Sequence, residues 1–230
     1  RKTEGGPFLD NRDEMAAPPW TTLRRLEQAS WKVQDESEDL SSDLKILSLL
    51  IAPGSSLGGA RPKAGVRHPN GDLWIAKFPG RNDEHDIGAW EWVTWKLAIA
   101  AGLNVPDADL LEVGNRKHRT FATQRFDRVL GSNGNSRLHF ASAMTMLGHH
   151  DGAGHAEGVS YLELVDFLSN QGAEVTADLE ELWRRIVFSI CVSNIDDHLR
   201  NHGFLLTKRG WKLSPAYDIN PNPVSYTHLT

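Results

Sequence analysis

The hydrophobic pattern of this chain changes character partway along its length, and that change limits the folds it can adopt. Before about residue 131, apolar residues come in short runs, such as residues 65–67 and 73–78 on either side of Asn70 and Gly71. Asn-Gly between two such runs is a strong hairpin signal. Later in the chain, apolar residues recur at helical spacing. Strands followed by helices predict an α+β fold, with a mostly antiparallel sheet lobe and then a helical lobe.

Two helices are predicted in the first half of the chain. Leu23 and Leu26 stand at helical spacing within residues 20–31 and predict the first helix. Apolar residues three to four apart over residues 86–101 predict the second, and Gly102 follows where a helix C-terminal glycine would stand. The apolar residues of this second helix are Trp90, Val93, Leu97, Ala98 and Ala101.

Strand and helix signals continue in the same order along the chain. Residues 105–113 and 119–126 predict two further strands, and the glycine- and asparagine-rich residues 131–135 predict a loop. Ser160 followed by Glu163 predicts a capping box at the start of a helix. One apolar stripe then predicts a buried helix, at Leu179, Leu182, Trp183, Ile186, Val187 and Ile190.

Composition narrows the class of protein. With 40% hydrophobic and 24% charged residues, the 230-residue chain is typical of a globular protein. Its apolar runs fall far short of the roughly 20 residues that span a bilayer, so we expect no membrane partner. A formal net charge of −5 opposes direct binding to nucleic acid. With a single cysteine, Cys191, and no secretory signal, we expect a cytoplasmic protein, with Cys191 and most of the eight tryptophans buried.

The densest group of polar residues lies at 193–202, directly after the predicted buried helix and before the apolar residues 203–206. Polar groups at such a boundary are costly to bury without partners. Asp196 and Asn201 are five residues apart. Protein kinases space their proton-accepting aspartate and magnesium-binding asparagine in the same way. The spacing alone is a weak signal, because it also arises often by chance.

Two further residues stand in kinase order. Asp218 follows residues 203–213, which predict two strands and a turn, as the magnesium-binding aspartate of a kinase follows its catalytic loop. Lys77, near the end of a predicted strand, corresponds to the lysine that reaches the nucleotide phosphates. Together these residues predict phosphoryl transfer from ATP with Mg²⁺.

A glycine-rich segment at residues 53–60 precedes them. Its glycines permit positive φ angles and the close backbone approach of an anion-binding loop. Gly54 and Gly59 have the outer spacing of the P-loop of NTPases, but Ala60 and Arg61 replace the Lys-Ser/Thr that this loop requires. The P-loop alternative therefore fails, and we expect an anion-binding loop of another kind.

In this order and with these flanks, the motifs resemble the HipA family of kinase toxins over about residues 44–219. The resemblance implies a protein-kinase-like two-lobed fold and serine/threonine protein kinase activity, in a toxin–antitoxin system linked to persistence. It implies a protein substrate from the translation machinery, such as an aminoacyl-tRNA synthetase. It also implies a HipB-like antitoxin as partner, with DNA reached only through that antitoxin.

The resemblance gives roles to the polar residues. Asp196 would orient the substrate hydroxyl, and Asn201 and Asp218 would hold Mg²⁺. Lys77 would contact phosphate, with Glu91 on the following helix as its candidate partner.

Further residues are matched to the ATP site by the same resemblance. Ser56 matches the serine that these kinases autophosphorylate. Gln124 stands where an acidic residue is common in the family, so its adenine contact would be made through backbone or amide. His198 is expected to orient the loop that carries Asp196. The residues expected to bind the nucleotide are Ser56, Leu57, Gly58, Gly59, Ala60, Lys63, Lys77, Gln124, Phe126 and His198.

We expect three segments in the chain. Residues 1–45 would be the end of the family's N-terminal subdomain and a linker, residues 46–130 the nucleotide-binding sheet lobe, and residues 131–230 the helical catalytic lobe. We expect the chain to be cut short at both ends, because family members carry further helices after the Asp218 motif. The final residues, 225–230, match nothing in the family.

Two alternatives remain open. The first is a nucleotide-binding pseudokinase that acts as an interaction module with a DNA-binding antitoxin. The second is a metal-dependent phosphohydrolase that uses Asp196, Asp197, His198 and Asp218, although it leaves Lys77 unexplained.

A histidine-rich stretch is the remaining candidate for a metal site. It lies in a glycine-rich segment and lacks a recognised zinc spacing, so we expect a loop instead. Its candidate ligands are His149, His150, Asp151 and His155.

Overall fold

The computed structural model divides the chain into two compact units. We call Arg1–Ala89 with Ala108–Arg125 the sheet unit, and Trp90–Asp107 with Phe126–Thr230 the helical unit. Among the residues described, no helix is both long enough and apolar enough to cross a membrane. The segment boundaries at residues 45 and 130 stay predictions. The structure describes residues 17–33, 61–114, 117–131 and 134–222.

The sheet unit is built on a four-stranded antiparallel sheet with the order β1-β2-β4-β3. The predicted hairpin is confirmed, since β1 pairs with β2 and the His68 N–H donates to the Asp72 carbonyl at 2.9 Å. Gly71 has a φ of 92°, which favours glycine at this turn. The two later strands are confirmed and are shorter than predicted. The strands are β1 (Lys63–Arg67), β2 (Leu73–Lys77), β3 (Ala108–Leu111) and β4 (Thr120–Gln124).

The core of the sheet unit lies between this sheet and the first helix, α1 (Leu23–Val33), which confirms the prediction for that segment. Leu23 and Leu26 are buried against residues that alternate along the strands, including Val66 and Trp74. Burying a side chain of this size contributes about 1.5–3 kcal/mol. The period-two alternation therefore marks the face of the sheet that the helix covers.

The second predicted helix, α2 (Ile87–Ala100), is confirmed, but its largest apolar residues do not form its buried face. The helix is apolar nearly all round, so no stripe indicates which side packs inward. At Gly88, a Cβ would lie 2.3 Å from the Arg119 carbonyl oxygen, which requires glycine there. The buried residues of α2 are Glu91, Thr94 and Ala98, and the exposed large ones are Trp90, Val93, Leu97 and Ile99.

The helical unit contains a two-stranded hairpin and a three-stranded antiparallel sheet of order β7-β8-β9. The loop predicted at residues 131–135 is wrong at its ends, because Gly131 pairs with Gly134 and Leu130 pairs with Asn135. The two strands predicted over residues 203–213 are confirmed. The strands are β5 (Arg128–Gly131), β6 (Gly134–Arg137), β7 (Phe140–Ser142), β8 (Gly203–Thr207) and β9 (Gly210–Leu213).

Three helices pack with the β7-β8-β9 sheet to form the main core of the helical unit. They are α3 (Ala143–Leu147), α4 (Tyr161–Gln171) and α5 (Val175–Cys191). The predicted capping box is confirmed at the start of α4, where the Glu163 carboxylate accepts the Ser160 N–H at 3.1 Å. The fully buried members of this core include Leu164, Leu168, Leu182, Phe204 and Leu213.

The stripe predicted on α5 is only partly buried. Leu182 lies in the core, but Trp183 is 66% exposed, and Val187 and Ile190 are also exposed. The prediction that Cys191 is buried is wrong, because this residue is exposed at the end of α5. The expectation for the tryptophans is wrong as well, since only Trp74 of the eight, all of them described, is buried. Apolar spacing thus located the helix and overestimated the width of its buried face.

Candidate functional site

The polar loop, residues 193–202, joins α5 to β8 in the helical unit. Ser193 adopts a φ of 55°, which turns the chain out of the helix. The Asn194 N–H then donates to the Ser189 carbonyl at 2.9 Å, and Asn194 is buried. The polar loop therefore begins from a fixed point on the last turn of α5.

The two adjacent carboxylates of this loop have opposite environments. The Asp196 side chain is 80% exposed, whereas that of Asp197 is 9% exposed. Asp197 accepts hydrogen bonds from His202 Nε2 and Tyr161 Oη, each at 2.8 Å. Burial opposes ionisation of Asp197, but these hydrogen bonds outweigh it and hold the pKa of the carboxyl below its usual value. Asp196 faces solvent, and Asp197 faces protein.

Asn201 folds back onto the residue five positions before it. Its Nδ2 donates to the Asp196 carbonyl at 2.8 Å, and its N–H donates to the His198 carbonyl, also at 2.8 Å. His198 Nε2 lies 3.9 Å from Asp196 Oδ1, which is too long for a hydrogen bond. The amide of Asn201 is thus fixed relative to the backbone of Asp196.

Asp218 lies on the segment after β9, and a tyrosine ties that segment to the polar loop. Tyr217 Oη donates to the Arg200 carbonyl at 2.6 Å. Burial and the Asp218 charge raise the pKa of Tyr217, so its phenol keeps the proton it donates. Asp218 adopts a φ of 58°, and its Oδ1 accepts from Asn220 Nδ2 at 3.2 Å. The structure therefore brings the segments carrying Asp196, Asn201 and Asp218 together.

One buried arginine close to these segments was not predicted from the sequence. Arg185, on α5, is 3% exposed, and its Nε donates to Glu181 Oε1 at 2.9 Å. Its Nη2 donates to the Ser214 carbonyl at 2.6 Å. Glu181 Oε1 also accepts the Asn104 N–H at 3.0 Å. The i, i+4 spacing of Glu181 and Arg185 was the available signal, but such pairs are common on exposed helix faces.

In the sheet unit, two predicted phosphate ligands lie at one end of neighbouring strands. Lys77 is the last residue of β2, and Lys63, its partner in the register, is the first of β1. Lys77 also pairs with Phe121 on β4, and its Nζ lies 5.8 Å from the centre of that ring.

The two predicted adenine residues fall in different units. Gln124 ends β4 in the sheet unit, and its Nε2 donates to Asp72 Oδ2 at 2.9 Å. Phe126 is in the helical unit, where its ring centre lies 5.6 Å from those of Phe140 and Tyr217. Phe126 therefore packs beside the segment that carries Asp218.

The predicted anion-binding loop lies outside the described residues, as do residues 1–16, 34–50 and 223–230. This applies to Ser56, Leu57, Gly58, Gly59 and Ala60.

The histidine-rich loop after α3 meets the polar loop. Asp151 Oδ1 lies 2.8 Å from Arg200 Nη1, and His149 Nε2 lies 2.8 Å from Glu163 Oε1. Across the described part of the chain, no three His, Cys, Asp or Glu side chains gather as a metal site. The histidine-rich loop therefore contacts the polar loop at Arg200, the residue before Asn201.

Solved structures with the same fold are known. HipA of Shewanella oneidensis MR-1, in a complex with HipB and its operator DNA, matches with a TM-score of 0.60 at 24% identity over 72% of this chain and 43% of that chain. The Helicobacter pylori proinflammatory kinase CtkA matches with a TM-score of 0.51 at 18% identity over 69% of this chain and 54% of that chain. The predicted kinase-like α+β fold is confirmed.

Sequence comparison gives the family. The serine/threonine-protein kinase toxin HipA of Shewanella oneidensis is 26% identical over 189 residues, which are 73% of this chain and 43% of that protein. The chain spans 37% to 43% of the length of the curated relatives it matches. A family model described as the HipA-like C-terminal domain matches residues 55–229. Since this match covers well over half of the sequence, the chain belongs to the HipA-like C-terminal domain family.

Proposed function

We propose that this chain carries the catalytic residues of an ATP- and Mg²⁺-dependent serine/threonine protein kinase of the HipA toxin type, acting in the cytoplasm. The proposal rests on two hydrogen bonds made by the polar loop. Asn201 is bonded to the Asp196 carbonyl, and Tyr217 bonds the Asp218 segment to Arg200. Asp196, Asn201 and Asp218 stand in kinase order along the sequence. They thus lie on two segments that hydrogen bonds hold together.

Asp196 would orient the hydroxyl of the substrate serine or threonine and accept its proton. Its exposure supports this role, because an acceptor must reach a side chain of another protein. Asp197 is the weaker candidate, since its carboxylate is buried and already accepts two hydrogen bonds. Catalysis of this kind rests on positioning and charge neutralisation more than on covalent chemistry.

The residues on the Asp218 side fit a magnesium ion. Asn201 donates through Nδ2, which orients its amide oxygen as the remaining acceptor, and Asp218 contributes a carboxylate. Mg²⁺ prefers oxygen ligands and is commonly held by one or two carboxylates together with substrate phosphates. Bound there, the ion would neutralise charge on the transferring phosphoryl group.

Residues of the sheet unit are proposed for the rest of the nucleotide. Lys77 and Lys63 place positive charge at one end of the β1-β2 hairpin, as phosphate binding needs. Ser56–Ala60 would supply backbone N–H groups and the autophosphorylated Ser56. Gln124 and Phe126 would contact adenine, and His198 would orient the polar loop.

The substrate and the partner follow from the family. We propose a translation component, such as an aminoacyl-tRNA synthetase, as the phosphorylated protein. A HipB-like antitoxin is proposed as the partner, since the Shewanella HipA structure is a complex with HipB and operator DNA. The net charge of −5 supports contact with DNA only through that antitoxin.

The test is transfer of phosphate from γ-labelled ATP with Mg²⁺ by the 230-residue chain, followed by mass-spectrometric mapping. We expect phosphate on Ser56, and a loss of about 10²- to 10⁴-fold in Asp196→Asn, which keeps the backbone carbonyl that Asn201 bonds. Asp166→Asn, an exposed aspartate on α4, is the matched control and should transfer normally. Equal transfer by Asp196→Asn would overturn the assignment of Asp196.

The other outcomes separate the alternatives. ATP binding without transfer in the wild-type chain favours the nucleotide-binding module over the kinase. Phosphate release without phosphoprotein favours the hydrolase, which the geometry opposes because Asp197 is fully engaged with its neighbours. No ATP binding at all would overturn both nucleotide-dependent proposals.

A further inference from the structure

The buried carboxylate beside Asp196 is placed where it can fix the whole polar loop. Asp197 receives hydrogen bonds from two parts of the helical unit: Tyr161 begins α4, and His202 ends the loop. A single ionised group therefore ties the end of the loop at His202 to the start of α4.

The far end of the loop is held from a further side. The His202 carbonyl accepts the Ala143 N–H at 2.8 Å, which joins the loop to the start of α3. His202 is itself buried. Because His202 Nε2 is bonded to Asp197, this anchor depends on the carboxylate.

Only a carboxylate can accept both of these hydrogen bonds as a charged group. An ionised carboxylate has two oxygens and about four acceptor sites, whereas the amide of asparagine has one acceptor oxygen and an NH₂ donor. In Asp197→Asn, the NH₂ group could be accommodated only if Tyr161 Oη accepts instead of donating or His202 changes tautomer, and either bond would then be neutral. Hydrogen bonds to charged groups are also the stronger ones. The substitution would therefore loosen at least one end of the loop.

The peptide bond between Asp196 and Asp197 links the anchored Asp197 to the residues that we propose act in phosphoryl transfer. Fixing Asp197 fixes the Asp196 carbonyl, which in turn accepts from Asn201 Nδ2. We propose that Asp197 is a positioning residue that holds Asp196 and Asn201 in register for phosphoryl transfer. The consequence for transfer rests on the proposed kinase function, and the consequence for the loop does not.

The first measurement is kinetic and uses the 230-residue chain at a temperature where circular dichroism shows each variant fully folded. Asp197→Asn is expected to lower kcat about 10- to 100-fold, the usual effect of removing an outer hydrogen-bonding partner. The change in KM for ATP is expected to be smaller. Tyr161→Phe, which removes one donor and keeps the carboxylate, should lie between Asp197→Asn and wild type. The control Asp166→Asn should match wild type.

The second measurement does not depend on activity. Native-state hydrogen exchange is expected to show the Asn201 and Ala143 amides exchanging about tenfold faster in Asp197→Asn, with amides between β8 and β9 unchanged. A purely global destabilisation would instead accelerate all of these amides together.

The two measurements keep the two proposals apart. An inactive wild-type chain would count against the kinase function, and the exchange rates would still decide the role of Asp197. Wild-type kcat in folded Asp197→Asn would overturn the positioning of Asp196. Unchanged exchange at Asn201 and Ala143 would overturn the anchoring of the loop.

Discussion

The hairpin turn at residues 68–72 is held mainly by bonds between its own residues, with one further bond from Gln124, whereas the polar loop at residues 193–202 also depends on two tyrosines from elsewhere in the chain. In the turn, Asn70 Nδ2 donates to Asp72 Oδ2 at 2.8 Å, and the Asp72 N–H donates to Asn70 Oδ1 at 3.0 Å. In the loop, Tyr161 reaches Asp197 from 36 positions away and Tyr217 reaches Arg200 from 17. Short-range bonds close small loops at low entropic cost, and long-range ones need the surrounding unit folded. The polar loop should therefore respond more strongly to distant substitutions than the turn does.

The largest expected loss of stability comes from substituting Arg185, which lies outside the polar loop. Arg185→Met would remove the buried partner of the Glu181 carboxylate, leaving it only the more exposed Arg184 as a cation, and would remove a donor to the Ser214 carbonyl. Breaking a buried ion pair in this way costs about 3–5 kcal/mol in the free energy of unfolding. Urea unfolding monitored by circular dichroism measures the loss.

The neighbouring arginine is the matched control for this variant. Arg184 is 40% exposed and pairs with Glu180 and Glu181, so Arg184→Met is expected to cost less than about 1 kcal/mol. The double variant Glu181→Leu/Arg185→Met removes the uncompensated charge and should recover part of the loss. Equal losses in the two arginine variants would contradict the buried role of Arg185.

Two tyrosine variants allow a hydrogen bond to a charged acceptor to be compared with one to a neutral acceptor. Tyr161→Phe removes a bond to the Asp197 carboxylate, and Tyr217→Phe removes one to the Arg200 carbonyl. The expected losses in unfolding free energy are about 1.5–3 and about 0.5–1.5 kcal/mol, because charged acceptors make stronger hydrogen bonds. Chemical denaturation of both variants decides the order, and a larger loss in Tyr217→Phe would contradict the importance given to Asp197.

The same contrast explains which parts of the fold could be predicted from the sequence. The hairpin turn rests on Asn70 and Gly71, whose preferences act within four residues, so the sequence predicts it directly. The spacing of Asp196 and Asn201 was visible for the same reason, and the structure adds the bond between Asn201 Nδ2 and the Asp196 carbonyl. The roles of these two residues in catalysis stay predictions.

The supports of the polar loop could not be predicted, because their partners are distant in the sequence. Nothing near Tyr161 or Arg185 indicates Asp197 or Ser214 as a partner. The buried faces of the helices were missed for another reason. On α2, apolar residues surround the axis, so spacing cannot tell that Glu91 is buried and Trp90 is exposed.

Asp86 stands between the two extremes, because it is supported both locally and from a distance. Its Oδ1 accepts the Ala89 N–H at 3.0 Å at the start of α2, and its Oδ2 accepts from Arg119 Nε at 2.7 Å. Burial opposes ionisation, but the bonds from Arg119 and Ala89 outweigh it and hold the pKa of Asp86 below its usual value of 3.8. Because the pKa is lower in the folded chain than in the unfolded one, the charge stabilises the fold above about pH 4 and stops doing so in acid.

Asp86→Asn should therefore cost about 1 kcal/mol at pH 7, in the range of other substitutions at helix starts. The difference from wild type should shrink towards zero as the pH falls through the pKa of the folded state. Unfolding free energies of both proteins at neutral and acidic pH test this. A difference that grows in acid would show that Asp86 is not the stabilising charge.

The smallest effect is expected in the hairpin turn itself. Asn70→Ala removes two exposed hydrogen bonds with Asp72 and should cost about 0.5 kcal/mol, at the low end for such bonds, since water replaces them. Hydrogen exchange should quicken at Gly71 and Asp72 alone, because the bonds that Asn70→Ala removes lie within the turn. The Asn201 and Ala143 amides should keep wild-type exchange rates. Faster exchange at those two amides would mean that the hairpin turn and the polar loop unfold together, and that local and long-range support are not separable in this chain.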